Sequence, residues 1–142
     1  MPKITTGKGL LTLTSLVTMT GAYIADWNQT HIYNPNWPPH AKFHNAQTMS
    51  MGAALGLIGL YLLWVHRGAW TRSLVQIIVV TESLYWITQL SAIFYPGTAL
   101  VDGDWVPPIQ PALATTMLIL NALAYFLEHR RTHSRTSLST EG

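Results

Sequence analysis

Cysteine is absent from the 142 residues, which excludes disulfides, thiolate nucleophiles and CxxC metal sites. Charge is scarce as well. Eight Lys and Arg and six Asp and Glu make up a tenth of the chain and leave a net charge of +2, too small and too confined to the flanks to mark a nucleic-acid binder. There is no P-loop, GxGxxG or GxSxG and no internal repeat, so phosphate-cradling loops and nucleophile elbows are excluded too.

Apolar residues, by contrast, fill half of the chain and fall in four blocks, at about residues 10–27, 46–65, 73–95 and 109–127. Each approaches or exceeds the roughly 20 residues that cross a hydrocarbon core at about 1.5 Å per residue. The expected fold is therefore all-α, a four-helix transmembrane bundle in a single domain over residues 1–127. Residues 128–142, EHRRTHSRTSLSTEG, read as a basic disordered cytoplasmic tail able to touch anionic membrane lipid.

The first block follows Lys3 and Lys8 as a signal peptide would, and Thr12, Thr14, Thr18 and Thr20 dilute it. A retained helix is the better reading, because Tyr23 stands where cleavage after Ala25 would want a small residue, and Thr14, Thr18, Gly21 and Ala25 form a stripe suited to close packing. Lys3, Lys8, Arg67, Arg72, Arg130, Arg131 and Arg135 fall on one side of a four-span array and Lys42 alone on the other. The positive-inside rule then puts both termini and the 66–72 loop in the cytoplasm. Trp27, Trp37, Tyr95 and Trp105 become interfacial aromatics on the opposite face, which carries the 26–44 and 102–111 loops. The expected location is a multi-pass protein of the endoplasmic reticulum or another endomembrane.

Residues 26–51, DWNQTHIYNPNWPPHAKFHNAQTMSM, pack Asp, His and amide side chains into a Pro-stiffened segment at a membrane mouth. His40, His44, Gln47 and Met51 recur at spacings of four, three and four and so share one helical face. The strip Gly52, Gly56 and Gly59 beside them suits close approach of another helix, within the chain or between copies; the polar face is expected to point into the bundle. Imidazoles at i and i+4 can converge on one metal ion, with His31 and Asp26 as further candidates. The bland alternative leaves one of the two in interfacial water, and no metal is assigned. Asn28-Gln29-Thr30 is a glycosylation sequon very near the first helix end, so Asn28 can instead line the site.

Glu82 falls near mid-membrane, where an ionised carboxylate costs at least a few kcal/mol; it is expected to be protonated, paired or turned to a polar cavity. Gln89 shares its face, flanked by Tyr85 and Trp86. Gln110, Met117, Asn121 and Glu128 share a face of the fourth helix, and Asn121 lies at a depth where it can meet Glu82. Without function, the pair is helix glue.

The run DWNQTHIYNPNWPPHAKFHNAQTM resembles the signature of a family of small four-helix fungal membrane proteins, mostly uncharacterised, some encoded among natural-product biosynthetic genes. A looser similarity of layout runs to the emopamil-binding and sterol-isomerase group, whose members bury His and Glu in a membrane bundle and move protons on apolar polycycles. It implies such roles for His40 or His44 and Glu82. Fungal integral-membrane terpenoid cyclases offer the same logic.

The resulting expectation is a pocket from the 26–44 mouth down to Glu82 and Asn121, walled by Met49, Met51, Leu55, Tyr85, Trp86, Met117 and Tyr125 and suited to a small apolar substrate. The chemistry expected is that of a cofactor-independent cyclase or isomerase, including a pericyclase, acting on a terpenoid or polyketide intermediate. Glu82 would be the buried acid, and His44 with Asp26, and His40 beside them, an acid–base or orienting group. Asn28, His31, Gln47, Met51, Tyr85, Trp86, Gln89 and Asn121 would hold the substrate. A metal-dependent oxidase using His31, His40 and His44, and a lipid- or sterol-binding protein without chemistry, are the competing classes.

Overall fold

The computed structural model describes residues 4–101 and 107–140, with the side chains of 133–140 left aside. Four helices make an all-α bundle: α1 Thr6–Asp26, α2 Pro39–Leu60, α3 Arg72–Ser91 and α4 Ile109–Thr140. Asp102 and Trp105 lie outside the described residues.

Each start has a local cause. The Thr5 hydroxyl accepts from the Lys8 amide at 3.2 Å, so α1 begins before its apolar block does. Thr71 does the same for α3, accepting from Leu74 N at 3.2 Å. Pro39 opens α2 from an extended Pro38, since its missing N–H would have had no helical partner there. Seven residues, Pro39 to Asn45, therefore precede the apolar block at residue 46 but already belong to the helix. One wide turn, Tyr61–Val65, continues α2, and a tight turn, Ala92–Phe94, ends α3. At its far end α4 runs past Leu127 through Thr140, and Glu128, placed in the tail by the sequence reading, is buried at 1% exposure.

Three helices are long and apolar enough to cross a membrane, Pro39–Val65, Arg72–Phe94 and Ile109–Thr132, which marks a multi-pass membrane protein. The surface agrees. Leu57, Ile58, Ile77, Val80, Leu84, Ile87, Ile119 and Phe126 all face outward, a cost in water and a match to lipid tails. α1 differs: its buried face carries Lys8, Thr14, Ser15 and Thr18, and it is not among the three apolar helices.

α1 packs on α2, α3 on α4, and α1 also touches α3 and α4, while α2 and α4 make no contact among the described residues. The bundle is thus a skewed square whose short diagonal joins α1 to α3. Close approach of α2 to α1 depends on its glycines. A Cβ on Gly56 would stand 2.7 Å from the Met19 Cβ, and one on Gly52 would stand 2.9 Å from the Thr18 carbonyl. The glycine strip therefore serves packing within one chain.

At the end where α1 starts and α4 leaves the bundle, Glu128 accepts from the Thr5 hydroxyl and from Trp70 Nε1, the latter at 2.8 Å. The Lys8 ammonium stands 4.0 Å from the Trp70 ring centre and 5.7 Å from that of Trp64, a cation–π arrangement. Glu128→Ala leaves two donors unpaired in a closed site. It is expected to lower stability by about 2 kcal/mol, read as an earlier unfolding midpoint in a detergent denaturation series.

Candidate functional site

Glu82 lies on the short diagonal, fully buried. Its Oε1 accepts from the Ser15 hydroxyl of α1 at 2.8 Å, and Trp86 Nε1 donates to the Thr18 hydroxyl, one turn along, at 2.9 Å. Thr18 also faces the carboxyl, while Oε2 has no hydrogen-bond partner. Gly59 of α2 closes the third side, since a Cβ there would meet Glu82 Oε1 and stand 2.6 Å from Ser15 Oγ. The carboxyl is thus held between three helices. Asn121 does not meet it: Asn121 Nδ2 donates to Ser83 Oγ, the next residue along α3, at 3.2 Å, and Asn121 Oδ1 is buried without a partner. The two side chains share a depth but sit on neighbouring faces, because Glu82 turns toward α1 and Ser83 toward α4.

A second cluster forms at the mouth, where α1 ends. Asp26 Oδ2 accepts from Asn45 Nδ2 of α2 at 2.7 Å, and His31 Nε2 stands 3.7 Å from Asp26 Oδ1. That separation is too long for a hydrogen bond and short enough for electrostatic pairing. His31 is fixed on its other side, with Nδ1 at 2.7 Å from the Thr30 hydroxyl and its ring edge-on to Trp37 at 5.4 Å. Tyr85 of α3 lies deeper along α2, its ring bordering Gly52. Asn45 Oδ1 is buried and unpartnered. A carboxylate, an amide and an imidazole from α1, α2 and the loop between them therefore meet at the mouth.

The loop owes its shape to local bonds. Asn28 Oδ1 accepts from the amide of Thr30 at 2.8 Å and from its hydroxyl at 2.6 Å, and Asn34 Oδ1 accepts from Asn36 N at 2.9 Å. These side chains mimic backbone turns, so Asn28 shapes the loop rather than lining the site.

His44 is not Asp26's partner, which corrects the expected acid–base pair. The face carrying His40, His44, Gln47 and Met51 is exposed on the outside of α2, contrary to the inward direction expected for it. Glycines at 52, 56 and 59 turn the opposite side of that helix to α1 and leave the histidines out. Met51, at 51% exposure, is no pocket wall; of the two methionines in this part of α2, Met49 is the buried one. Nor do His31, His40 and His44 come together, and no group of three or more His, Asp or Glu suited to a metal occurs among the described residues.

Trp86 packs with Ala114 and Met117 as core. Gln89 and Gln110 line a shallow cleft of about 180 Å³ between the ends of α3 and α4, where Gln89 Oε1 is unpartnered. The sequence reading missed Ser15, Asn45 and Gly59 as site residues. Ser15 and Thr18, three apart on one helix and level with Glu82, carried the signal for the first.

Comparison with curated proteins and with solved structures gives no match. A family profile does match, over residues 10–138, and that span takes in both the Glu82 and the Asp26 clusters. The chain belongs to the DUF6640 family, a family of unknown function.

Proposed function

We propose that this protein is a membrane-embedded, cofactor-independent cyclase or isomerase for an apolar terpenoid or polyketide intermediate, working at the Asp26–His31–Tyr85 mouth. The observation that carries the reading is the gap of 3.7 Å between Asp26 and His31, flanked by the Asn45 amide. A substrate hydroxyl or carbonyl approaching beside this pair meets the Asp26 carboxylate as a base and the His31 ring, when protonated on both nitrogens, as an acid. Asn45 orients the carboxylate, leaving Oδ1 turned to His31. The Tyr85 ring, beside Gly52, lies on the side of the membrane interior, where the apolar body of such a substrate would lie.

Glu82 has a different part in this reading. Enclosed by Ser15 and Gly59, it braces the floor beneath the reaction space rather than exchanging protons with a guest. Basic residues at one end of the bundle, Lys8, Arg67, Arg72, Arg130 and Arg131, support cytoplasmic termini, with the mouth on the far side of an endomembrane.

The test uses protein in lipid nanodiscs, a panel of prenylated aromatic polyketides and their epoxides, and D2O as solvent. The expected product equals its substrate in composition, elutes apart from it and carries solvent deuterium. An unlabelled isomer would point to a pericyclic reaction, in which the mouth only holds a reactive conformer. Saturable binding with no conversion would replace the proposal by the lipid-binding reading, which the closed surroundings of Glu82 favour.

A further inference from the structure

His40 and His44 face outward, one turn apart, and take no part in the proposed reaction. Their Nε2 atoms stand 3.1 Å apart, with the rings at 78° to each other. Gln47 Oε1 lies 3.2 Å from His44 Nδ1. An amide oxygen only accepts, so Nδ1 carries the proton and the lone pair of His44 is left on Nε2, directed at its neighbour. The His40 ring is held in turn by a parallel contact with Phe43, 6.1 Å between centres.

Two imidazole nitrogens bound to one ion at about 2.0–2.1 Å each stand roughly 3.3 Å apart when the angle between them is tetrahedral. The observed separation falls within a few tenths of an ångström of that value. The amide oxygen on the far nitrogen of His44 is also what metal-bound histidines ordinarily have, an acceptor that fixes the tautomer and makes the ligating nitrogen more basic. With both rings exposed, water can complete the coordination.

We propose that His40 and His44 form a binding site for a divalent first-row transition ion, Zn²⁺ or Cu²⁺, with two protein ligands and the remainder water. Imidazole ligation suits these ions. An ion there joins the first two turns of α2 immediately after Trp37-Pro38-Pro39 and so fastens the helix start to which the mouth loop is attached. The site stands apart from the proposed reaction and holds or fails independently of it.

The test is calorimetric titration of tag-free, detergent-purified full-length protein with zinc chloride and, separately, with copper chloride. Saturable binding of one ion per chain is expected, absent from His40→Ala/His44→Ala and retained in His66→Ala/His129→Ala. Gln47→Ala should weaken it by about tenfold, the effect of losing an outer partner of a metal-bound histidine. If the double variant does not fold, His40→Gln and His44→Gln singly must each abolish saturable uptake. No saturable binding, or binding that survives the loss of both histidines, would overturn the proposal and leave an N–H···N hydrogen bond between the two rings.

Discussion

Alanine at Gly59 is expected to destabilise the bundle by about 3 kcal/mol, at the upper end of what overpacking costs. The added methyl group would enter the space of the Glu82 carboxyl and stand 2.6 Å from Ser15 Oγ. Neither neighbour can withdraw easily, because each is the other's hydrogen-bond partner at 2.8 Å and both are completely buried. A surface glycine changed to alanine in a helix would instead gain up to about 1 kcal/mol from propensity alone. Unfolding of the purified protein by a graded denaturing detergent measures the difference. The double variant Gly59→Ala/Glu82→Ala provides the internal control, since removing the carboxyl opens room for the methyl. Its loss of stability should fall short of the sum of the single losses by about 1–2 kcal/mol. Additive losses would mean that Gly59 and Glu82 do not touch.

Asp26→Asn is expected to lower kcat/KM for isomer formation by about 10²- to 10⁴-fold, the usual worth of a positioned general base, with the unfolding midpoint little changed. The asparagine keeps the shape and still accepts from Asn45 Nδ2 through its oxygen, so the loop geometry set at 2.7 Å survives while the proton acceptor is lost. Asn45→Ala should have a smaller effect, mostly in kcat, because it frees the carboxylate without removing it. His44→Ala, by contrast, should leave turnover unchanged, as His44 lies on the outer face of α2, its ring set against His40, Phe43 and Gln47. Were His44→Ala to abolish turnover and Asp26→Asn to spare it, the reaction would belong to the outer face.

The four helices were legible in block length and apolar content, because a bilayer imposes both. Their beginnings were less so: α2 starts at Pro39 rather than at residue 46, since hydropathy does not register a proline at the first helical position. Relative level was legible too, since Asn121 bonds Ser83, the residue next to Glu82. Depth cannot say which helices share a diagonal, however, so Glu82 was matched with Asn121 when its partner is Ser15. For α2 the answer lay within the chain. At about 100° per residue, His44 is turned roughly 60–120° and Gln47 roughly 120–180° from Gly52, Gly56 and Gly59, so a glycine strip set against α1 already sends the histidines outward. Asn45, one residue beyond His44, is swung by that same rotation onto Asp26.

α1 precedes the three helices that are long and apolar enough to cross a membrane and is not itself one of them. Its interior face shows Ser15 and Thr18 to groups on α3, and Lys8 to Trp64 and Trp70, which come more than fifty residues later. Thr5 finds Glu128 only once α4 has been made. The polar face of α1 is therefore matched only after α3 and α4 have followed it, so that the earliest of the four helices is the last to find all its partners.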